Sequence, residues 1–162
     1  MGKIISVSNQ KGGVGKTTTA LSLSAALGVL EKKVLLIDMD PQSNATSGLG
    51  VDSNEATLSS YDLIIGNAKA SNIVIQTSSP NLDLIPAKID LVGLEIEIVN
   101  ESSREYLLKN ALEKIKEKYD FIIIDCPPSL GLITLNALTC SNSVIIPIPV
   151  SYTHLTLPTT YT

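Results

Sequence analysis

The chain alternates between short unbroken apolar runs and longer stretches in which apolar residues recur every three or four positions. Apolar runs of four or five residues indicate strands that are buried on both faces, as in a parallel sheet. Recurrence at three- to four-residue spacing indicates one apolar face of a helix. The pattern predicts strands at 4–8, 34–37, 82–85, 121–124 and 144–148, and helices at 16–30, 107–115 and 130–138.

Two further features refine this prediction. Residues 89–99 fit either a helix or a strand, and we favour a helix. Ser102 and Glu105 have the spacing of a capping box, in which the two side chains cap a helix start reciprocally. We therefore expect the helix whose apolar face spans 107–115 to start earlier, with Ser102 as its N-cap.

Strands that alternate with helices predict an α/β fold, a doubly wound and mostly parallel sheet flanked by helices on both faces. In such sheets ligands bind at the carboxyl ends of the strands. Two predicted strands run directly into an aspartate, Asp38 and Asp125, and a third runs into a glycine-rich loop. The sequence thus predicts a site at this edge of the sheet.

Composition narrows the function classes only slightly. The 162 residues carry a net charge of −4 with 44% apolar and 17% charged residues, as in an ordinary globular domain. No basic run predicts a nucleic-acid-binding face in this stretch, and no apolar run approaches the ~20 residues of a membrane span. Cys126 and Cys140 lack metal-site spacing, which favours a reducing cytoplasm.

The glycine-rich loop has the composition and the context of a phosphate-binding loop. It lies between a predicted strand and a predicted helix, where glycines allow the backbone to approach phosphate oxygens and the helix start attracts the anion. Lys16 would supply a cation for the β- and γ-phosphates, and the Thr17 hydroxyl would bind Mg²⁺. The predicted nucleotide-binding residues are Lys11, Gly12, Gly13, Val14, Gly15, Lys16, Thr17 and Thr18.

This loop departs from the common pattern G-x-x-x-x-G-K-[ST], because Gln10 stands where the first glycine belongs. It resembles instead the deviant loop K-G-G-x-G-K-[ST] of the P-loop NTPase superfamily that includes ParA, MinD and the nitrogenase iron protein. The resemblance implies ATP and Mg²⁺ as cofactors and an ATP-dependent homodimer. It also implies that Lys11 reaches across a nucleotide sandwich to the partner's ATP.

The aspartates that follow the second predicted strand add a second motif. Asp38 and Asp40 are two positions apart, so on a strand they would share a face and point into one site. The segment from Asp38 to Gln42 resembles the switch I region of ParA-type proteins. By this resemblance Asp40 positions the attacking water and is catalytic together with Lys11 and Lys16, while Asp38 supports the water shell of the metal.

The apolar run at 121–124 ends in Asp125 and matches a Walker B strand, which delivers one carboxylate to the metal's shell. Thr17, Asp38 and Asp125 are therefore the predicted metal-site residues. Pro127 and Pro128 stiffen the exit of this strand, where a switch II would respond to the γ-phosphate. Cys126 is interpreted as a packing residue.

Within the superfamily, the run D-P-Q-x-N-A-T-S-G-L-G after Asp38 and the helix start Tyr61-Asp62-Leu63 resemble the ParA/Soj type. The alternatives are a MinD-like membrane-associated positioning ATPase and a nucleotide-dependent regulator with little turnover. The ParA/Soj resemblance implies an ATPase in chromosome or plasmid segregation that is cytoplasmic and nucleoid-associated and does not bind membranes. It also implies a ParB-like centromere-binding partner and nonspecific DNA binding through regions absent from this chain.

The last residues differ in character from the rest. Residues 150–162 contain no charge and no helical or strand period, and codons for 150–159 can be written that spell a transposase mosaic-end sequencing adaptor. We therefore interpret 1–149 as the N-terminal part of a ParA-type ATPase domain, incomplete at its C-terminus, and 150–162 as a non-native tail. The chain on its own is expected to be poorly soluble, with weak or no ATPase activity.

Overall fold

A six-stranded sheet forms the centre of the computed structural model, which describes residues 2–150. The strands are β1 (Lys3–Val7), β2 (Val34–Asp38), β3 (Ile75–Gln76), β4 (Leu82–Ile85), β5 (Phe121–Asp125) and β6 (Ser143–Ile145). Their spatial order is β3-β4-β2-β5-β1-β6, and every neighbouring pair is parallel except β3 and β4. The predicted mostly parallel α/β sheet is confirmed.

Seven α-helices connect the strands in the described part of the chain. They are α1 (Lys16–Val29), α2 (Asn44–Gly48), α3 (Ser60–Ile65), α4 (Ala70–Ile73), α5 (Leu91–Ile98), α6 (Leu107–Leu112) and α7 (Leu132–Cys140). Two short 3₁₀ helices, Arg104–Tyr106 and Lys116–Lys118, flank α6. None of the helices within residues 2–150 has the length and apolar character needed to cross a bilayer.

Side chains of β2 alternate between two apolar layers, and all of them are buried. Leu35 and Ile37 belong to the layer that packs against α3, α5, α6 and α7. Val34 and Leu36 belong to the opposite layer, which α1 and α2 cover. Both faces of the sheet are thus covered, as the continuous apolar runs predicted.

The capping box predicted at Ser102 and Glu105 was wrong. A 3₁₀ helix begins at Arg104, and α6 begins only at Leu107 without a side-chain cap at its N-terminus. The backbone N–H of Leu108, in the first turn of α6, instead donates to Asn136 Oδ1 on α7 at 3.0 Å. A tertiary hydrogen bond therefore satisfies a donor of the kind that a local cap would have satisfied.

Other boundaries shift by a few residues. The segment 89–99 forms the helix α5, as favoured, and α7 begins at Leu132 rather than at residue 130. The last strand is shorter than predicted, because β6 ends at Ile145. Within residues 2–150, β6 pairs only with β1, and the side chains of Ile146 and Ile148 beyond it are 61% and 72% exposed.

The predicted tail begins at Val150, whose side chain is 82% exposed. The rest of the tail, residues 151–162, lies outside the described residues.

Candidate nucleotide-binding site

The loop between β1 and α1 depends on two glycines with left-handed backbone conformations. Gly13 has a φ of 69° and Gly15 a φ of 85°, a region that other residues adopt at a cost. A Cβ on either glycine would meet no atom within 4 Å, so backbone conformation rather than space requires glycine here.

Helix α1 begins without a side-chain cap at its N-terminus. Gly15 occupies the N-cap position, no side chain caps it, and the first turn contains no acidic residue. The first N–H groups of a helix lack intrahelical partners and carry partial positive charge, so this end of α1 can receive an anion.

A cavity of about 320 Å³ lies at this helix start. It is lined by Gly12, Gly13, Val14, Gly15, Lys16, Thr17, Thr18, Asp40, Gln42, Asn44 and Pro128. Cavities of about 350 and 460 Å³ lie elsewhere, beside α6 and beside β3. We take the first cavity as the candidate site, because the glycine loop, the buried Lys16 and the Asp40 carboxylate converge there.

The two lysines of the loop are placed differently. Lys16 is only 7% exposed, and its Nζ donates to the backbone carbonyl of Lys11 at 2.8 Å. Lys11 is exposed, and its backbone N–H donates to Asn9 Oδ1 at 3.0 Å. The Lys16 ammonium is thereby held against the loop backbone, whereas the Lys11 side chain lies at the surface.

Thr17 joins the loop to the end of β5. Its Oγ1 donates to Asp125 Oδ2 at 2.7 Å, while Asp125 Oδ1 is buried and has no hydrogen-bond partner. Burial, aided by the nearby charges of Asp38 and Asp40, raises the pKa of Asp125 to about 7, against the opposing effects of the Thr17 hydrogen bond and of Lys16.

Asp38 lies beside Asp125, since β2 and β5 pair in register at these two residues. Its Oδ2 accepts from Thr46 N at 2.8 Å and from Thr46 Oγ1 at 2.7 Å, and its Oδ1 accepts from Asp40 N at 3.0 Å. Burial raises the pKa of Asp38 to about 6 in spite of these hydrogen bonds. The Asp38 carboxylate therefore anchors α2, which contains Thr46, to the edge of the sheet.

Asp40 occupies a different position from Asp38. Strand β2 ends at Asp38, so the two-residue periodicity of a strand does not extend to Asp40. Asp40 lines the cavity, and its Oδ1 accepts from Gln42 N at 2.9 Å. Of the two carboxylates, Asp40 lines the cavity and Asp38 is not among its lining residues.

Most of the predicted site residues come together at this edge. Gly12 to Thr18 and Asp40 line one cavity, and Asp125 accepts a hydrogen bond from the Thr17 hydroxyl. Sequence reasoning missed Thr46 as the partner of Asp38, and Gln42 and Asn44 as lining residues. Asn44 and Thr46 lie in the run that marked the resemblance, but nothing in the sequence alone assigns them a contact.

Comparison with known proteins places these features in a family. A family model described as an AAA domain matches residues 2–156. The chain belongs to this AAA-domain family. Its curated relatives include the sporulation initiation inhibitor protein Soj of Bacillus subtilis, 56% identical over 94% of this chain, and the chromosome partitioning protein ParA of Myxococcus xanthus, 49% identical over 94%. The resemblance to ParA/Soj-type proteins is thus confirmed.

The chain spans only 60% of the length of that Soj and 54% of that ParA. Solved structures also match. A cobyrinic acid a,c-diamide synthase from Mycobacterium smegmatis with bound ATP analogue and magnesium has a TM-score of 0.89 at 43% identity, over 91% of this chain and 60% of that one. A putative plasmid partition protein from Borrelia burgdorferi B31 bound to AMPPNP has a TM-score of 0.81 at 37% identity, over 91% and 62%.

Proposed function

We propose that this chain contains the nucleotide-binding part of a ParA/Soj-type partition ATPase and binds ATP together with Mg²⁺ in the cavity at the N-terminus of α1. The observation that carries the proposal is the uncapped start of α1, where the buried Lys16 and Thr17 border a cavity that Asp40 also lines. Solved relatives with bound ATP analogue or ADP and magnesium support it.

The described residues fit such a ligand. Backbone N–H groups of the glycine loop and the Lys16 ammonium are donors for phosphate oxygens. The Thr17 hydroxyl and the Asp125 carboxylate are oxygen ligands of the kind that Mg²⁺ takes, and Asp125 Oδ1 still has an unused acceptor site. Within residues 2–150, no group of three or more His, Cys, Asp or Glu side chains is arranged to hold a metal ion. Mg²⁺ commonly binds through one or two carboxylates together with substrate phosphates and water, so Thr17 and Asp125 would be its protein ligands here.

The site residues then have the following roles in the longer partition ATPase of which we propose this chain to be a part, called the parent protein below. When bound, Mg²⁺ would neutralise phosphate charge. Asp38, whose carboxylate oxygens already accept three hydrogen bonds, would act only on the water shell of the metal and through the placement of Asp40. Asp40 would orient the attacking water, and Lys11 would act in trans on the ATP of a second subunit.

The activity of the complete protein extends beyond this chain. We propose that the parent forms an ATP-dependent homodimer, binds DNA nonspecifically through segments outside residues 1–149, and acts in chromosome or plasmid segregation with a ParB-like partner. In this proposal it is a cytoplasmic, nucleoid-associated protein. The tail at 150–162 is proposed to be non-native, and the chain alone to turn over ATP weakly or not at all.

The test is binding of a fluorescent non-hydrolysable ATP analogue, with and without Mg²⁺, at submicromolar chain concentration. We expect saturable binding that Mg²⁺ strengthens and unlabelled ATP displaces. Turnover is measured in the parent protein, where Asp40→Ala should abolish hydrolysis but preserve binding. Absence of saturable binding to the 162-residue chain would overturn the proposed nucleotide site.

A further inference from the structure

A glutamate on another helix contacts the start of α7, directly after the loop that follows Asp125. We call residues 126–131 the post-β5 loop; it connects β5 to α7. On α5, Glu95 accepts a hydrogen bond through Oε1 from the backbone N–H of Ile133, in the first turn of α7, at 3.2 Å. Because α7 has no side-chain cap of its own, Glu95 serves as its cap from a distance.

Gly131 contributes to the same contact. A Cβ on Gly131 would overlap the Glu95 carboxylate, although the φ of −78° at this residue is one that any residue adopts. The glycine is therefore needed for space and not for backbone conformation. The carboxylate lies at the end of a flexible side chain, so a methyl group here could push it away and break its bond to Ile133.

The post-β5 loop reaches the nucleotide cavity at its other end. Pro128 lines the cavity, and its Cβ lies 4.0 Å from the position a Cβ on Gly12 would occupy. Ser129 is tied to the first turn of α7, since its carbonyl accepts from Thr134 Oγ1 at 2.8 Å. The loop thus borders the cavity beside Gly12 at one end and is linked through Ser129 to the first turn of α7, which Glu95 contacts, at the other.

We infer that Glu95 is a positioning residue, which holds the post-β5 loop against the phosphate-binding loop so that Pro128 closes the cavity beside Gly12. This inference rests on the proposed function for its effect on nucleotide, but the contact itself does not. Glu95 touches neither nucleotide nor metal and acts only through the loop. Losing the Glu95 carboxylate should therefore lower the affinity for ATP more than the affinity for ADP, because the cavity must accommodate the additional phosphate of ATP.

The first test is hydrogen exchange of the full 162-residue chain without nucleotide. In Glu95→Ala we expect the Ile133 amide to exchange at least tenfold faster, with amides of β1 and β5 unchanged. Glu95→Gln retains an acceptor oxygen and should restore much of the protection. The control is Glu97→Ala on the same helix, because the Glu97 carboxylate accepts instead from the Tyr61 hydroxyl.

A double-mutant cycle sharpens this test. Gly131→Ala should accelerate exchange of Ile133 as Glu95→Ala does, because it displaces the carboxylate. In a chain that already carries Glu95→Ala, Gly131→Ala should add no further acceleration. Unchanged exchange of Ile133 in Glu95→Ala, or additive effects of the two changes, would overturn the inference.

The second test compares a fluorescent ATP analogue with a fluorescent ADP analogue in the presence of Mg²⁺. Glu95→Ala should weaken binding of the ATP analogue three- to tenfold and binding of the ADP analogue less than twofold. The affinities of Glu95→Gln should be close to those of wild type. Equal weakening of both would indicate a purely structural role and contradict the inference. If the wild-type chain binds neither, the proposed function fails, while the exchange measurement still decides whether Glu95 holds the loop.

Discussion

Helices α1 and α7 both begin at the same edge of the sheet, after the neighbouring strands β1 and β5. Their N-termini differ in whether a side chain accepts a hydrogen bond from the first turn. The start of α1 has no cap and no acidic residue and opens into a cavity. The start of α7 receives the Glu95 carboxylate. Since an uncapped helix start is costly unless its donors find partners, the contrast supports the proposal that α1 offers its N-terminus to an anion.

The largest expected effect comes from removing the cation at the open helix start. Lys16→Ala should weaken binding of a fluorescent ATP analogue by roughly 100-fold, because a buried ammonium contributes charge-assisted hydrogen bonds to phosphate. The control is Lys118→Ala, which removes an exposed lysine far along the chain. Equal affinities for the two variants would show that α1 does not bind the nucleotide phosphates.

The buried carboxylate behind α1 predicts an unusual pH dependence. The pKa of Asp125 is raised from 3.8 to about 7, so the folded chain holds a proton that the unfolded chain releases. Stability without nucleotide should therefore fall as pH rises from about 4 to about 7, and Asp38 adds to this fall in the same direction.

Asp125→Asn should accordingly stabilise the nucleotide-free chain at pH 8 by on the order of 2 kcal/mol and should flatten the pH dependence. Urea unfolding at pH 5 and pH 8 measures this, with the exposed Asp52→Asn as the control. A variant that is less stable than wild type at pH 8 would contradict the view that burial of the charged Asp125 carboxylate destabilises the nucleotide-free chain.

Backbone conformation at the open helix start gives a smaller effect. Gly15→Ala forces a Cβ into a φ of 85° and should destabilise the chain by about 1–2 kcal/mol. The control is Gly93→Ala within α5, where a Cβ would meet Glu97 Oε1 at an ordinary 3.5 Å and helix propensity favours alanine. If both substitutions change the unfolding free energy alike, the left-handed conformation is not what requires Gly15.

The smallest effect concerns a third helix start, which is capped locally. At α3, Ser59 and Asp62 form a capping box, with the Ser59 N–H donating to Asp62 Oδ2 at 2.9 Å. Ser59→Ala should cost about 1 kcal/mol in unfolding free energy and leave nucleotide affinity unchanged. Ser22→Ala, on an exposed position of α1, is the control, and a change in affinity for Ser59→Ala would contradict the separation of α3 from the site.

Much of the fold could be predicted from the chain, because the four central strands β1, β2, β4 and β5 are largely buried on both faces. The apolar runs of β2 and β5 end at Asp38 and Asp125, as predicted. The capping box at Ser102 was wrong, because a side chain from α7 satisfies the first turn of α6. The short elements α2, α4 and β3 carry too few residues for a periodic pattern to show.

The sequence by itself determined the mostly parallel sheet, the glycine loop between β1 and α1, and the family resemblance. These follow from local composition and from the spacing of residues that are close in the chain. Only the tertiary structure decided that Asp38 binds Thr46 while Asp40 lines the cavity, that Asp125 lies behind Thr17, and that Glu95 caps α7 across 38 positions. Such contacts depend on which strands and helices become neighbours in the fold. The spacing of residues along the chain does not reveal which elements these are.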